Sequence, residues 1–455
     1  MRSGLLTALA CAALVGGTAA TASADLPGRL PGSPPVVRGL TPGTTYREQA
    51  PLPPDDGSLP FGADSFDSVY PGALHRFYYA IGSNELVGAS DAQLAATARR
   101  NALIVLPPWK DAIAAKLKAA NPALRVLVYK ETFVSTETDP ATGKSVSGVP
   151  WADAQPSWLL RGRDGQPLAS SNVPYYYFAD VGDPAYQDAW ASNVLRELGA
   201  RGSPWDGVFI DDFLPTTYYH TNGDVSQVAK YPSDAAWQPA MESFGARIGP
   251  RIQAAGKLVV ANMGGTWADP RYADWNTSVV LGFLSGGLDE FFMHWWGSDQ
   301  PQDASYFDTV QRIGQRLERA GKLFLAQTTN NQEPDARASL YGYVTALLFA
   351  NGHSGFSYAA DPSYDVGQSW LPLYGMPVGS ALGPAAPVYD QSQPGPPAWL
   401  RRFSRVVAIA NPGDSPKTVA FDASEYCPAS SGSTVTGHTT VGPRAGALLD
   451  PTAFC

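Results

Sequence analysis

Eight short apolar runs, separated by stretches of helical periodicity, set the main constraint on how this chain can fold. The runs begin at His75, Ala102, Arg125, Asp206, Leu258, Ser285, Leu323 and Gly352. Helical patterns occupy Asp111 to Ala120, Tyr186 to Arg201, Ala235 to Ala255, Ala304 to Ala320 and Pro334 to Ala350. Strands alternating with helices imply a parallel sheet with crossover helices. Eight is the count that closes into a barrel. An open doubly wound sheet is the rival. It would carry a glycine-rich phosphate loop after its first strand, and Ala80-Ile81-Gly82-Ser83-Asn84 is not one. The expected fold is α/β: a (β/α)8 TIM barrel over 71–397. In Ala255-Gly256-Lys257 and Ala320-Gly321-Lys322, a glycine is placed to end a helix in the left-handed conformation.

The flanks differ in kind. Arg2, the apolar stretch Leu5 to Val15 and the small residues Ala22-Ser23-Ala24 fit a signal peptide over 1–24, cleaved before Asp25. The rival is a lipid anchor on Cys11, for which Ala8-Leu9-Ala10 is a poor lead-in. A secreted, extracellular protein is expected, with no membrane span, since Gly, Pro or charge breaks every later apolar run. Residues 25–70, rich in Pro, Gly and Ser, read as a linker or arm. From 398 to 455 short alternating runs without helical signal predict a small antiparallel β-sandwich. Cys427 and Cys455 both fall there. In an oxidising compartment they are expected to form a disulfide worth roughly 3 kcal/mol; two free thiols are the alternative.

Composition excludes several classes of function. Asp and Glu number 41 against 32 Lys and Arg, which argues against nucleic acid as a partner. The five histidines are scattered, and no metal signature or G-x-S-x-G elbow is present. No cofactor is implied.

Barrel active sites lie at the C-terminal ends of the strands. The polar and aromatic residues there are Tyr79, Trp109, Lys130, Glu131, Asp211, Asp212, Asn262, Asp289, Glu290, His294, Gln327, Tyr358 and Asp361. Two segments are built alike. Asp206-Gly207-Val208-Phe209-Ile210 leads to Asp211, and Ser285-Gly286-Gly287-Leu288-Asp289 leads to Glu290. An acid ending an apolar strand pays a desolvation cost that calls for partners or a task. Asp211 and Glu290 are therefore the candidate catalytic pair, with Glu131 in reserve. The plainer alternatives are an N-cap role for Asp211 or Asp212 and an ion pair of Glu290 with Lys130. Adjacent strand residues point to opposite sides, so only one of Asp211 and Asp212 faces the mouth. Trp267, Trp295, Trp296 and the run Tyr175-Tyr176-Tyr177 could stack on sugar rings or simply pack at loop bases. Tyr79, Asn262, His294, Gln327 and Tyr358 are further candidates for holding a carbohydrate substrate.

At these two segments the chain resembles the hypothetical glycosyl-hydrolase-like barrels and, more distantly, endo-α-1,4-polygalactosaminidase-type barrels. Asp206 to Asp211 match a DGVFLDN-like strand, with Asp212 in place of the final Asn. Gly286 and Glu290 match a later DGxxxE-like motif, with Ser285 where Asp is expected. The stretch Trp399 to Pro412 is similar to the β domain that follows amylase-type barrels. The resemblance implies a glycoside hydrolase with a carboxylate pair acting on a polysaccharide or oligosaccharide. The alternatives are a non-catalytic carbohydrate-binding protein on the same scaffold and a non-glycosidic barrel hydrolase.

Overall fold

The computed structural model describes residues 74–82, 86–294, 301–329, 335–359, 371–390, 393–426 and 436–454. The expected signal peptide and arm, together with Trp295, Trp296, Asp361, Cys427 and Cys455, lie outside these residues.

All eight runs form strands. They are β1 (His75–Tyr79), β2 (Leu103–Leu106), β3 (Arg125–Glu131), β4 (Gly207–Asp211), β5 (Leu258–Asn262), β6 (Gly286–Asp289), β7 (Leu323–Thr329) and β8 (Ser354–Ala359). They close as β1-β8-β7-β6-β5-β4-β3-β2, and every pairing is parallel. Both faces of each strand are covered, which is why β2 reads LIVL and is buried throughout.

The crossover helices are α1 (Asp91–Arg100), α2 (Asp111–Ala120), α3 (Pro184–Leu198), α4 (Asp234–Ala254), α5 (Ala273–Phe283), α6 (Ala304–Arg319) and α7 (Ala336–Leu347). The periodicity reading missed α1 and α5. A signal for α1 exists, since Ser90 and Gln93 form a capping box. Helix α5 has no side-chain cap at Tyr272, so its start carries no such mark. Gly256 and Gly321 adopt φ of 71° and 66°, as the Ala-Gly-Lys units require.

The likeness of the two motif segments has its origin at the floor of the barrel, opposite the active-site end. Asp206 Oδ2 accepts the Val126 N–H at 2.8 Å, and Ser285 Oγ accepts the Val259 N–H at 3.0 Å. Each side chain thus satisfies the N–H of a residue near the start of the preceding strand. Gly207 lies where a Cβ would come within 2.3 Å of Leu258 O, and Gly286 where one would come within 2.4 Å of Leu323 Cβ. The lysines of the two Ala-Gly-Lys units complete the pattern. Lys257 Nζ donates to Trp205 O at 2.6 Å and Lys322 Nζ to Leu284 O at 2.5 Å. A hydroxyl does the work of a carboxylate at the first position, which is why Ser285 is tolerated where Asp was expected.

The C-terminal part forms β9 (Ala386–Val388), β10 (Ala398–Arg402), β11 (Val407–Asn411), β12 (Lys417–Asp422), β13 (Thr436–Val441) and β14 (Ala445–Leu449). Strands β9-β10-β11-β14 make one antiparallel sheet and β12-β13 another. Leu400, Ile409 and Leu449 of the first pack with Val419, Phe421 and Val441 of the second. The other face of the larger sheet contributes Ala408, Ala410 and Leu448 to the main core. Gly446 lies so close to α7 that a Cβ would meet Val344 at 2.3 Å. Strand β9 precedes residue 398, so the sheet begins before the compositional boundary.

Candidate active site

Alternation along β3, β4 and β5 aims Glu131, Asp211 and Asn262 into the upper barrel. Phe209, two residues below Asp211, packs its ring 5.0 Å from Tyr79 and 6.4 Å from Tyr129. An aromatic layer therefore lies directly under the carboxylates. Asp211 is saturated with donors. Its Oδ2 receives the Tyr79 hydroxyl at 2.9 Å and the Tyr129 hydroxyl at 2.5 Å. Its Oδ1 receives Asn262 Nδ2 at 2.8 Å and the Asp212 N–H at 2.9 Å.

Asn262 carries the link across the barrel. The same Nδ2 donates to Glu290 Oε2 at 2.9 Å, while Asn262 Oδ1 accepts the Gly264 N–H at 2.8 Å. On the other side, the Tyr129 hydroxyl also contacts Glu131 Oε1. Glu131, Tyr129, Asp211, Asn262 and Glu290 thus form one continuous hydrogen-bonded chain. Asp211 is 3% exposed and Glu290 is 0% exposed. Burial, aided by the charge of Asp212, pushes the Asp211 carboxyl up to about 6, against the three side-chain donors that pull it down. Burial and the charges of Asp212 and Asp211 push Glu131 well above the usual carboxylate range.

Asp212 turns the other way. Its φ of 55° breaks the strand geometry, a conformation that costs a non-glycine residue energy and clusters at functional sites. Its Oδ1 lies 3.0 Å from His220 Nε2. His220 Nδ1 lies 2.8 Å from Ser170 Oγ, which already accepts the Asn172 and Val173 N–H groups at 3.3 and 3.2 Å. A hydroxyl accepting twice donates its own proton, so Nδ1 accepts and the ring proton lies on Nε2, the nitrogen that faces Asp212. Asp212, expected to hold substrate, sits beside this buried His220–Ser170 pair.

Other expected residues fall in varied places. Gln327 faces the interior, because its neighbour Thr328 lies where a Cβ on Gly342 of α7 would be 2.1 Å from its Oγ1. His294 is buried, with Nδ1 3.0 Å from Thr329 O. Trp267 is not an open platform. It is wholly buried against Gly287 and Phe324, and its Nε1 donates to Leu288 O at 2.7 Å. Tyr358 shares a side of β8 with Phe356, whose ring packs on Tyr343 of α7. Its hydroxyl accepts the N–H of Asp335, the N-cap of α7, at 2.7 Å. Lys130 pairs with Glu197 at 2.8 Å rather than with Glu290. Asp289 points to the helix layer, where it accepts from Tyr306 at 2.5 Å, and burial pushes it up to about 7. Tyr176 reaches toward Glu131. Tyr177, next along its short strand, pairs with exposed Trp151 at 4.5 Å. Tyr129, His220 and Ser170 were missed by the sequence reading. The only signal for Tyr129 was a polar ring two residues before a strand-end acid.

Among the described residues no cluster of His, Cys, Asp and Glu is arranged to hold a metal, and no helix is long and apolar enough to cross a membrane. Arranged this way, the site can hold one carboxylate ionised under four donors and a second carboxyl alongside it.

Solved structures of similar fold include the cycloalternan-degrading enzyme from Trueperella pyogenes, with 11% identity and a TM-score of 0.40 over 84% of this chain. This chain covers 61% of that enzyme's length. The PgaB (BpsB) glycoside hydrolase domain from Bordetella bronchiseptica has 11% identity and a TM-score of 0.38, covering 64% of this chain and 95% of the domain. The GH36 α-galactosidase AgaB from Geobacillus stearothermophilus has 12% identity and a TM-score of 0.37, covering 76% of this chain and 48% of that one. Likeness at this level says nothing of substrate. Comparison with curated proteins found no match. The sequence itself is more telling: the model of hypothetical glycosyl hydrolase family 15 matches residues 118–407, a span holding Glu131, Asp211, Asn262 and Glu290, and the chain belongs to that family.

Proposed function

We propose that the protein is a secreted, retaining glycoside hydrolase acting on an extracellular polysaccharide or oligosaccharide, with Asp211 as nucleophile and Glu290 as acid and base. The observation that carries this reading is the shared amide of Asn262. Two oxygens bound to one nitrogen, at 2.8 and 2.9 Å, lie no farther apart than the sum of those distances. That limit fits the about 5–5.5 Å of retaining enzymes and falls short of the about 6.5–9.5 Å that an inverting pair needs. Asp211 takes the nucleophile's role because its donors favour the anion, and the oxygen that attacks gives up one of them as the new bond forms. It attacks the anomeric carbon while Glu290 protonates the departing oxygen. Water, deprotonated by Glu290, then releases the sugar.

The test is a panel of polysaccharides and oligosaccharides with detection of new reducing ends, followed by NMR of the first anomer released. Retention supports the proposal; an inverted anomer overturns the assignment. Sugar binding without hydrolysis would favour the reading as a binding protein.

The reaction needs Asp211 ionised, so activity is expected to fall as the pH drops below about 6. Tyr79→Phe removes one donor to the anion. A hydrogen bond to a charged group is worth about 1.5–3 kcal/mol, so the acid limb of kcat/KM should move up by roughly one to two pH units. A limb that stays in place would exclude Asp211 as its source.

A further inference from the structure

We infer that Glu131 is a protonated carboxylic acid in the resting protein, donating to the Tyr129 oxygen so that the single proton of Tyr129 is committed to Asp211. Glu131 is thereby a positioning residue for Asp211 and not a third anion of the site. Only the catalytic consequence rests on the proposed glycosidase reading; where the proton sits does not.

The argument is a count of protons. The Tyr129 oxygen contacts Glu131 Oε1 and Asp211 Oδ2. A phenol has one O–H, and two carboxylates can only accept. With both ionised, one contact would set two lone pairs against each other in a buried site, where an unmade hydrogen bond is costly. One of the two acids must therefore carry a proton.

The surroundings decide which. At Oδ1 Asp211 meets an amide N–H and an Asn amide, groups that can only donate there. Both favour its anion. The ionisable groups facing Glu131 are Asp211 at the end of β4 and Asp212 just after it, Tyr129 on its own strand, Tyr175 and Tyr176 in the long excursion after β3, and Tyr186 on α3. The Tyr176 hydroxyl bonds to Glu131 and favours its anion, but burial and the charges of Asp212 and Asp211 outweigh it and disfavour a further negative charge. His220 faces Asp212, not Glu131. The hydrogen-bond order is therefore Glu131 to Tyr129 to Asp211. The device makes the site less negative by one charge and gives Asp211 a strong donor without a cation.

The experiment is infrared difference spectroscopy of the full chain, wild type minus Glu131→Gln, taken about one unit above the pH of about 7 at which Asp289 titrates. Asp211 and Asp289 are then ionised. The C=O stretch of one protonated carboxyl, that of Glu131, should appear in the difference spectrum, while the band of the Glu290 acid is common to both proteins and cancels. Its absence from the difference overturns the inference. Should Glu131→Gln fail to fold, Tyr129→Phe gives the second reading: the acid loses its acceptor, so its C=O band must shift in frequency, and an unshifted or missing band is a refutation. The kinetic arm tests the positioning role. Gln can still donate to Tyr129, so kcat should fall by less than about tenfold, against the 10²-fold or more lost with a general acid or base. A loss of that larger size would make Glu131 a catalytic group and overturn the assignment. If the wild type hydrolyses no glycan, the glycosidase reading fails, while the infrared result still decides where the proton resides.

Discussion

Asp211→Asn is expected to lower turnover by on the order of 10²-fold or more while leaving the fold intact. An asparagine can keep the local contacts. Its oxygen accepts from Asn262 and the Asp212 N–H, while its amide faces the hydroxyls of Tyr79 and Tyr129; Tyr129 then turns its proton to Glu131 Oε1, and the proton of that acid moves to Oε2. Only the nucleophile is lost. Stability should respond in the opposite sense. The folded carboxyl titrates near 6, above its ordinary value of 3.8, so the native state binds this proton more tightly than the unfolded chain. The ionised, buried group therefore costs stability. That cost is fully present above about pH 6 and disappears as the pH falls below the ordinary value. The variant should melt at or above the wild-type temperature at neutral pH and converge with it in acid. Glu290→Gln should lose a comparable factor on native glycans, but much less on aryl glycosides whose leaving group departs without a proton. Near-normal turnover by either variant on a native glycan would sink the pair.

The largest structural effect is expected at Arg401. This buried side chain gathers the end of α7 and the chain leading into the C-terminal sheet. Its Nη1 donates to Leu347 O at 2.8 Å and Ala350 O at 2.7 Å, its Nη2 to Asn351 Oδ1 at 2.6 Å, and its Nε to Gly383 O at 3.0 Å. The last carbonyls of a helix have no partner within the helix. Here a side chain from β10 supplies one. Arg401→Ala strips these acceptors at once and should cost about 3–5 kcal/mol, since several buried oxygens lose their donor together and each unsatisfied one costs about 1–3 kcal/mol. Urea midpoints and thermal melts would measure it. Arg401→Met, which keeps the length of the stem, should recover part of the loss through packing. A change under about 1 kcal/mol would mean that water replaces the guanidinium.

The barrel was legible in the sequence because parallel strands covered on both faces leave short, unbroken apolar runs. The two motif segments stood out because Gly207 and Gly286 sit at close approaches where a side chain has no room. Asp211 was separated from Asp212 only by the structure. The left-handed φ of Asp212 interrupts strand alternation at the very point where the reading needed it. Tyr129, His220 and Ser170 were invisible for another reason: their partners are distant in the chain. Ser170 and His220 are brought together by two long excursions above the barrel, and neither segment has a periodicity that announces the contact. Trp267 and Tyr358 misled because an aromatic residue at the end of a strand serves the helix layer as readily as the mouth. The expected helix caps and C-terminal strands, by contrast, depended on local chemistry and were readable.

Helix α7 has a consequence for how the molecule comes apart. Every residue from Ala338 to Leu347 is buried. Such a helix has no wetted side, so it cannot be the outer wall of an independent barrel. Strands β7 and β8 cover one flank and β14 the other, with Gly446 allowing the close approach. The change in composition near residue 398 is therefore a change of architecture but not of cooperativity. Cutting the chain there would leave α7 with an oily flank facing water and its last carbonyls without Arg401. Barrel and sheet are expected to melt together in one transition.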